Sequence, residues 1–173
     1  MTGSPVIETF PTPTIVTLGD SALLVRFGTA LTEPANRAAI ALATQLNHEP
    51  LAGVLEVVPN LVSVLLRYDP LQSCRADIVL RLRLFALDPA AVSAGRDWTI
   101  SVHFDGPDLD SVAADLGLSS AEFIAAHNAR PVRVLATGFA PGFVYCGMHP
   151  DNLVVPRRTE VRPMVPPGTV LFA

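Results

Sequence analysis

Lysine is absent from all 173 residues, so the 12 cationic side chains are arginines. That absence excludes Schiff-base chemistry and a Walker A loop, whose lysine reaches the nucleotide phosphates. Any ATP used with this protein is not held here by a P-loop. Cysteine is nearly as scarce. Cys74 and Cys146 lie far apart, too few for a disulfide framework or a metal site, and both read as reduced, small hydrophobes. No apolar run approaches the roughly 20 residues of a membrane span. Residues 1–13 are polar and rich in Pro and Thr, without the basic-then-apolar order of a signal peptide, so a cytoplasmic location is expected. No two of the four histidines stand at metal-ligand spacing with a carboxylate, and no metal is expected. There is no G-x-S-x-G elbow and no recognisable Ser-His-Asp order.

What is present is a large apolar fraction, 50% of the residues, enough to bury one core or two small ones. The net charge of −4 is unevenly spread. Residues 1–129 hold 7 Arg against 14 acids, whereas residues 130–173 hold 5 Arg against 2 acids. A locally positive end on an acidic protein fits a small anion or an acidic protein patch. Nucleic acid, which calls for a broad basic face, is not expected as a partner.

The chain reads as two parts. In the first, Thr14 to Leu18 and Ala22 to Phe27 are apolar runs about a tight Gly19-Asp20 turn, a hairpin signal. Thr32 is placed to cap a helix beginning near Glu33-Pro34, with Ala39, Ile40, Ala43 and Leu46 recurring on one face. Val54 to Val58 and Leu61 to Tyr68 read as strands around Pro59-Asn60, and a helix over 71–87 carries Cys74, Ile78, Leu82 and Phe85. This β-β-α-β-β-α order predicts an α+β sandwich over residues 1–90, helices on one face of an antiparallel sheet.

The second part, residues 97–173, opens with an alternation of Trp98, Ile100, Val102 and Phe104 against Thr99, Ser101 and His103, which predicts a half-buried strand. Asp108 to Leu116 reads as a short helix stopped by Gly117, with Asp108 suited to its N-cap. Ser119 and Glu122 form a capping box for a helix through Asn128, and Val132 to Leu135 is a further strand.

Residues 138–170 carry the chemistry. Six of the 16 prolines fall between Pro141 and Pro167, so the backbone must run as stiff turns and short edge strands. Arg157, Arg158 and Arg162 offer rigid bidentate forks for a carboxylate or phosphate; the competing reading is a solvated loop paired to Asp151 or Glu160. Phe139, Pro141, Phe143, Tyr145, Pro166 and Gly168 suit a pocket wall, though the rings equally suit packing. His127, at a helix end, is the candidate general base because imidazole titrates near neutral pH. It also suits a helix C-terminus, where the dipole favours a cation.

The segments Gly138-Phe139-Ala140-Pro141-Gly142-Phe143-Val144-Tyr145, Pro156-Arg157-Arg158, Arg162 and Val165-Pro166-Pro167-Gly168-Thr169-Val170 resemble the signature of subunit 1 of allophanate hydrolase. That family includes the B-type subunit of bacterial ATP-dependent 5-oxoprolinase and a sporulation-kinase inhibitor. The similarity runs back through Gly19-Asp20-Ser21-Ala22-Leu23-Leu24-Val25, Glu56-Val57-Val58-Pro59, Tyr68-Asp69-Pro70 and Asp105-Gly106-Pro107-Asp108-Leu109. Cys146 departs from the family's aliphatic residue, and Val161 from its second proline. Family members continue past the position of Val170, whereas this chain stops at Ala173. The resemblance therefore implies, for residues 97–173, a cyclophilin-like β-barrel that is incomplete.

It implies also a subunit of a multi-subunit, ATP-dependent 5-oxoprolinase that opens 5-oxo-L-proline to L-glutamate with companion subunits of A and C type. In such chemistry, phosphorylating the lactam oxygen makes a better electrophile for water, and arginines hold the substrate carboxylate or the moving phosphoryl group. ATP is thus implied in the complex, and a small anionic substrate. Two other activities lie within the same resemblance: an allophanate hydrolase or urea carboxylase-type carboxyltransferase subunit, and a non-enzymatic inhibitor of a sensor histidine kinase. With no nucleophile–base pair recognisable, the isolated chain is expected to be inactive.

Overall fold

A computed structural model describes residues 10–85, 87, 88, 92, 95–156, 158–160 and 162–172. They form two compact units: one holds the described residues through Asp97 together with Val134–Cys146, the other Trp98–Arg133 and the described residues from Gly147 onward.

The first unit is an antiparallel sheet with two helices. Strands β1 (Thr14–Leu18) and β2 (Ala22–Arg26) form the expected hairpin, with Leu18 opposite Ala22 and Gly19 at φ +60°, a left-handed turn conformation that glycine adopts without strain. After helix α1 (Glu33–His48) come β3 (Val54–Pro59), β4 (Ser63–Tyr68) and helix α2 (Arg75–Leu84). The strand order is β1-β2-β4-β3. Leu23 and Val25 on β2, and Val64 and Leu66 on β4, alternate onto one face and are buried there, as the period of two requires. Against them packs a stripe of α1 made from Ala35, Ala38, Ala39, Leu42 and Leu46; small alanines let the helix lie close to the sheet. Thr32 Oγ1 accepts from Ala35 N at 3.4 Å and Pro34 occupies the first turn, which fixes the start of α1.

Helix α2 is shorter than the expected 71–87. The Asp69 carboxylate accepts from Leu71 N at 2.9 Å and from Gln72 Nε2 at 2.8 Å, and this turn takes up the residues the helix would have begun with. Ile78 and Leu82 are its buried pair, whereas Cys74 is exposed.

Strands β5 (Arg133–Thr137) and β6 (Val144–Gly147) make a separate two-stranded sheet. Asn36, on α1, is fully buried; its Nδ2 donates to Leu61 O at 2.8 Å and to Leu135 O at 2.9 Å. A single amide therefore ties β5 and the β3–β4 turn to the helix.

The second unit is built on α3 (Leu109–Asp115), α4 (Ser120–Asn128) and a 3₁₀ turn at Asp151–Leu153, around buried Ala113, Phe123 and Leu153. Gly117, at φ +71°, ends α3: its N–H reaches Ala114 O at 2.9 Å and Leu118 N reaches Ala113 O at 2.9 Å, a Schellman pair. Ser119 and Glu122 form the reciprocal capping box. Residues 98–104 correct the sequence expectation. They pair with no strand among the described residues, and Trp98 and Ile100 are 76% and 77% exposed. Alternation supplies an apolar face, but a strand forms only where a neighbour satisfies its backbone N–H and C=O groups. The fold is α+β with an antiparallel sheet, and past Trp98 the strands among the described residues are β5 and β6. No helix among the described residues is long and apolar enough to cross a membrane.

Candidate functional site

The basic cluster and the aromatic loop belong to different units. In the second unit Asp108 stands at the N-cap position of α3, but its side chain does not cap the helix. Its Oδ1 accepts instead from Arg158 Nη1 at 2.7 Å and from Arg162 Nη2 at 2.8 Å. This corrects two expectations. Asp108 is not a capping side chain, and the carboxylate that Arg158 and Arg162 meet is Asp108 rather than Asp151 or Glu160. The Arg162 hydrogen bond, with the charge of Arg158 beside it, holds the Asp108 carboxyl below its usual range. The two arginine side chains remain 56% and 41% exposed, which leaves other guanidinium N–H groups facing water. Arg157 lies outside the described residues.

In the first unit the loop between β5 and β6 presents rings. Phe139 is 90% exposed and has φ +66°, a left-handed conformation unfavourable for a bulky side chain. Tight bonding imposes it: Ala140 N donates to Gly138 O at 2.8 Å, Phe143 N to Ala140 O at 3.0 Å and Gly138 N to Phe143 O at 3.2 Å. Gly142, at φ +78°, supplies the second left-handed position. Phe143 stands edge-on between Phe139, at 5.5 Å between ring centroids, and Tyr145, at 5.1 Å. Thr137 to Phe143, including Pro141, line an open, shallow depression. None of the three rings is buried: Phe139 and Tyr145 are exposed and Phe143 is half-buried. Pro166 and Gly168 lie in the second unit as exposed turn residues; Thr169 Oγ1 donates to Pro166 O at 2.8 Å, and Gly168 has φ +81°.

His127 ends α4 inside a group of rings. It lies 5.6 Å from Phe104, 6.0 Å from Phe172 and 5.4 Å from His149 between centroids, and its Nδ1 is 3.2 Å from Asn128 Oδ1. Nothing in the residues around His149 links it to α4, so its place in this group is visible only in the fold. Its Nδ1 is buried without a hydrogen-bond partner, and burial, helped by the charge of His127, pulls its pKa down. The folded state thus favours neutral His149. The stability gained is complete above the ordinary histidine range near pH 6.5 and is lost as pH falls through the depressed folded value. The melting temperature should therefore fall between pH 7.5 and 5.5, and His149→Phe, which keeps a ring without a proton site, should flatten that fall. Equal pH slopes for both proteins in calorimetry would refute this role. Among the described residues no three His, Cys, Asp or Glu side chains converge as metal ligands.

Known proteins share this sequence pattern and fold. The pattern of the carboxyltransferase domain, subdomain C and D, matches residues 13–173. The chain is similar to the B-type subunit of 5-oxoprolinase from Bacillus subtilis (strain 168), with 32% identity over 173 residues, covering 90% of this chain and 71% of that protein. It is 34% identical over 163 residues to the corresponding B-type 5-oxoprolinase subunit of Escherichia coli O157:H7, covering 88% of this chain and 71% of the relative. The crystal structure of TTHA0988 in space group P212121 superposes with a TM-score of 0.72 at 39% identity, over 84% of this chain. This chain spans 29% of the length of that solved chain.

Proposed function

The chain belongs to the carboxyltransferase domain family, subdomain C and D, and from that premise we propose that it is a subunit of a multi-subunit, ATP-dependent 5-oxoprolinase that converts 5-oxo-L-proline to L-glutamate. The observation that carries the reading is the meeting of Arg158 and Arg162 on one carboxylate oxygen, in a chain whose relatives are named as B-type subunits of 5-oxoprolinase. 5-Oxoproline carries one carboxylate, and guanidinium forks bind that group with charge-assisted bonds. The pair, with Arg157 beside it in sequence, holds the substrate anion. Phe139, Pro141, Phe143 and Tyr145 offer an exposed aromatic surface to a companion subunit, the residue types found at interface hot spots.

The residues of this chain do not fit a nucleotide-phosphate site. The chain has no lysine, so a Walker-type loop with its phosphate-contacting lysine cannot form. ATP handling is therefore assigned to companion subunits of A and C type. His127 is assigned to the ring cluster, where its partners are Phe104, Phe172, His149 and Asn128, rather than to proton transfer.

Substitution of either arginine tests the anion site. Arg158→Ala and Arg162→Ala should each weaken binding of 5-oxoproline to the assembled enzyme by about three- to tenfold, a modest loss because both side chains are partly solvated. Melting temperature should hardly change. Unaltered KM in both variants, with wild-type kcat, would remove the arginines from the substrate site.

A further inference from the structure

Asp108 Oδ1 receives two guanidiniums at once, Arg158 Nη1 at 2.7 Å and Arg162 Nη2 at 2.8 Å. A residue at this helix position ordinarily has an extended backbone and turns its side chain onto the first N–H groups of the helix. Asp108 has φ −100° and ψ −3° and makes no such bond. Its side chain has left the helix for the arginines. Two positive groups against one carboxylate leave a formal excess of one positive charge (2 − 1). A single oxygen also uses only part of two donor forks, each able to make paired bonds to an oxyanion. The cluster is thus a half-satisfied anion site.

We infer that Asp108 is a built-in competitor: its carboxylate stands in for a small oxyanion ligand, carboxylate or phosphate, and must leave when that ligand binds to Arg158 and Arg162. The inference rests on the arginine pair being the anion site of the proposed function, and it is independent of whether the ligand is 5-oxoproline. Displacement has a destination, since the Asp108 side chain is already 32% exposed and the freed carboxylate can turn to water. The arrangement keeps the arginines from trapping weak cellular anions and reserves the site for a ligand that uses both forks.

The test is calorimetric titration of the full chain with inorganic phosphate and, separately, with 5-oxoproline. Asp108→Asn and Asp108→Ser remove the competing charge while keeping a small polar side chain at this exposed position. Both variants should bind the probes about tenfold more tightly than wild type, because the ligand no longer displaces a charge-assisted pair. Tightening toward both probes marks a general oxyanion site, and tightening toward 5-oxoproline alone a carboxylate site. Folded Asp108→Ser protein with wild-type affinity for both probes overturns the inference, and so does loss of the fold in both variants, which would make Asp108 a structural tie. Wild-type binding by the Arg158→Ala, Arg162→Ala double variant would overturn the anion site itself. Absence of 5-oxoproline conversion in the complex would touch only the proposed reaction.

Discussion

The purified chain, given ATP and 5-oxoproline, is expected to release no glutamate, and addition of A- and C-type companion subunits is expected to start turnover. On the proposed function the effect is all or none. With no lysine in the chain, a Walker-type loop is not available to hold a triphosphate. His127 is packed among rings, and its ring and amide partners include no nucleophile. Phe139 is held exposed in a strained conformation, as suits a residue that another surface will cover. An active site shared between chains has this look from one side. Glutamate can be followed by a coupled assay, with each subunit omitted in turn. Full activity of the chain alone would sink the shared-site reading, and tight binding of a sensor kinase without any effect on 5-oxoproline would replace it with the inhibitor reading.

The second large effect is on stability. Asn36→Leu keeps the branched side-chain skeleton in a bulkier form but removes both amide hydrogen bonds, to Leu61 O and Leu135 O. Leu135 O, buried, and Leu61 O, part-buried, lose their donor, and removal of the unpartnered Asn36 Oδ1 offsets part of that loss, for a net cost of about 1–3 kcal/mol. Melting should fall by about 5 °C or more if the first unit unfolds cooperatively, and amide exchange in 134–137 should accelerate more than in β2 or β4. A shift smaller than about 2 °C, on the same scale, would mean that other contacts hold β5 in place.

The features that reading the residues recovered share a physical basis. The Gly19-Asp20 hairpin, the Thr32 cap, the Gly117 stop and the Ser119–Glu122 box depend on groups no more than about five residues apart, where the chain itself enforces proximity. The β-β-α-β-β-α order likewise follows from period-two and helical spacing. The shortening of α2 was also local. Asp69 competes for the backbone by bonding Leu71 and Gln72, an Asx-type turn that apolar periodicity does not register.

The candidate site was legible in composition and not in pairing. Arginines and rings on a stiff loop could be named from their types, yet any of several carboxylates was an electrostatically reasonable partner. The fold chose Asp108, 54 residues from Arg162. Asn36 reaches 99 residues to Leu135, and His127 meets His149, because backbone topology brings them together after the local elements have formed. The segment from Trp98 to Phe104 makes the same point in reverse: its alternation is written in the residues, but a ladder needs a neighbour that the chain must bring from elsewhere. Local chemistry, then, set the elements, the caps and the absence of a lysine-based phosphate site. Long-range packing decided which charges neutralise each other, which rings stay in water and which unit residues 134–146 join, since those outcomes depend on distances that close only when the chain is folded.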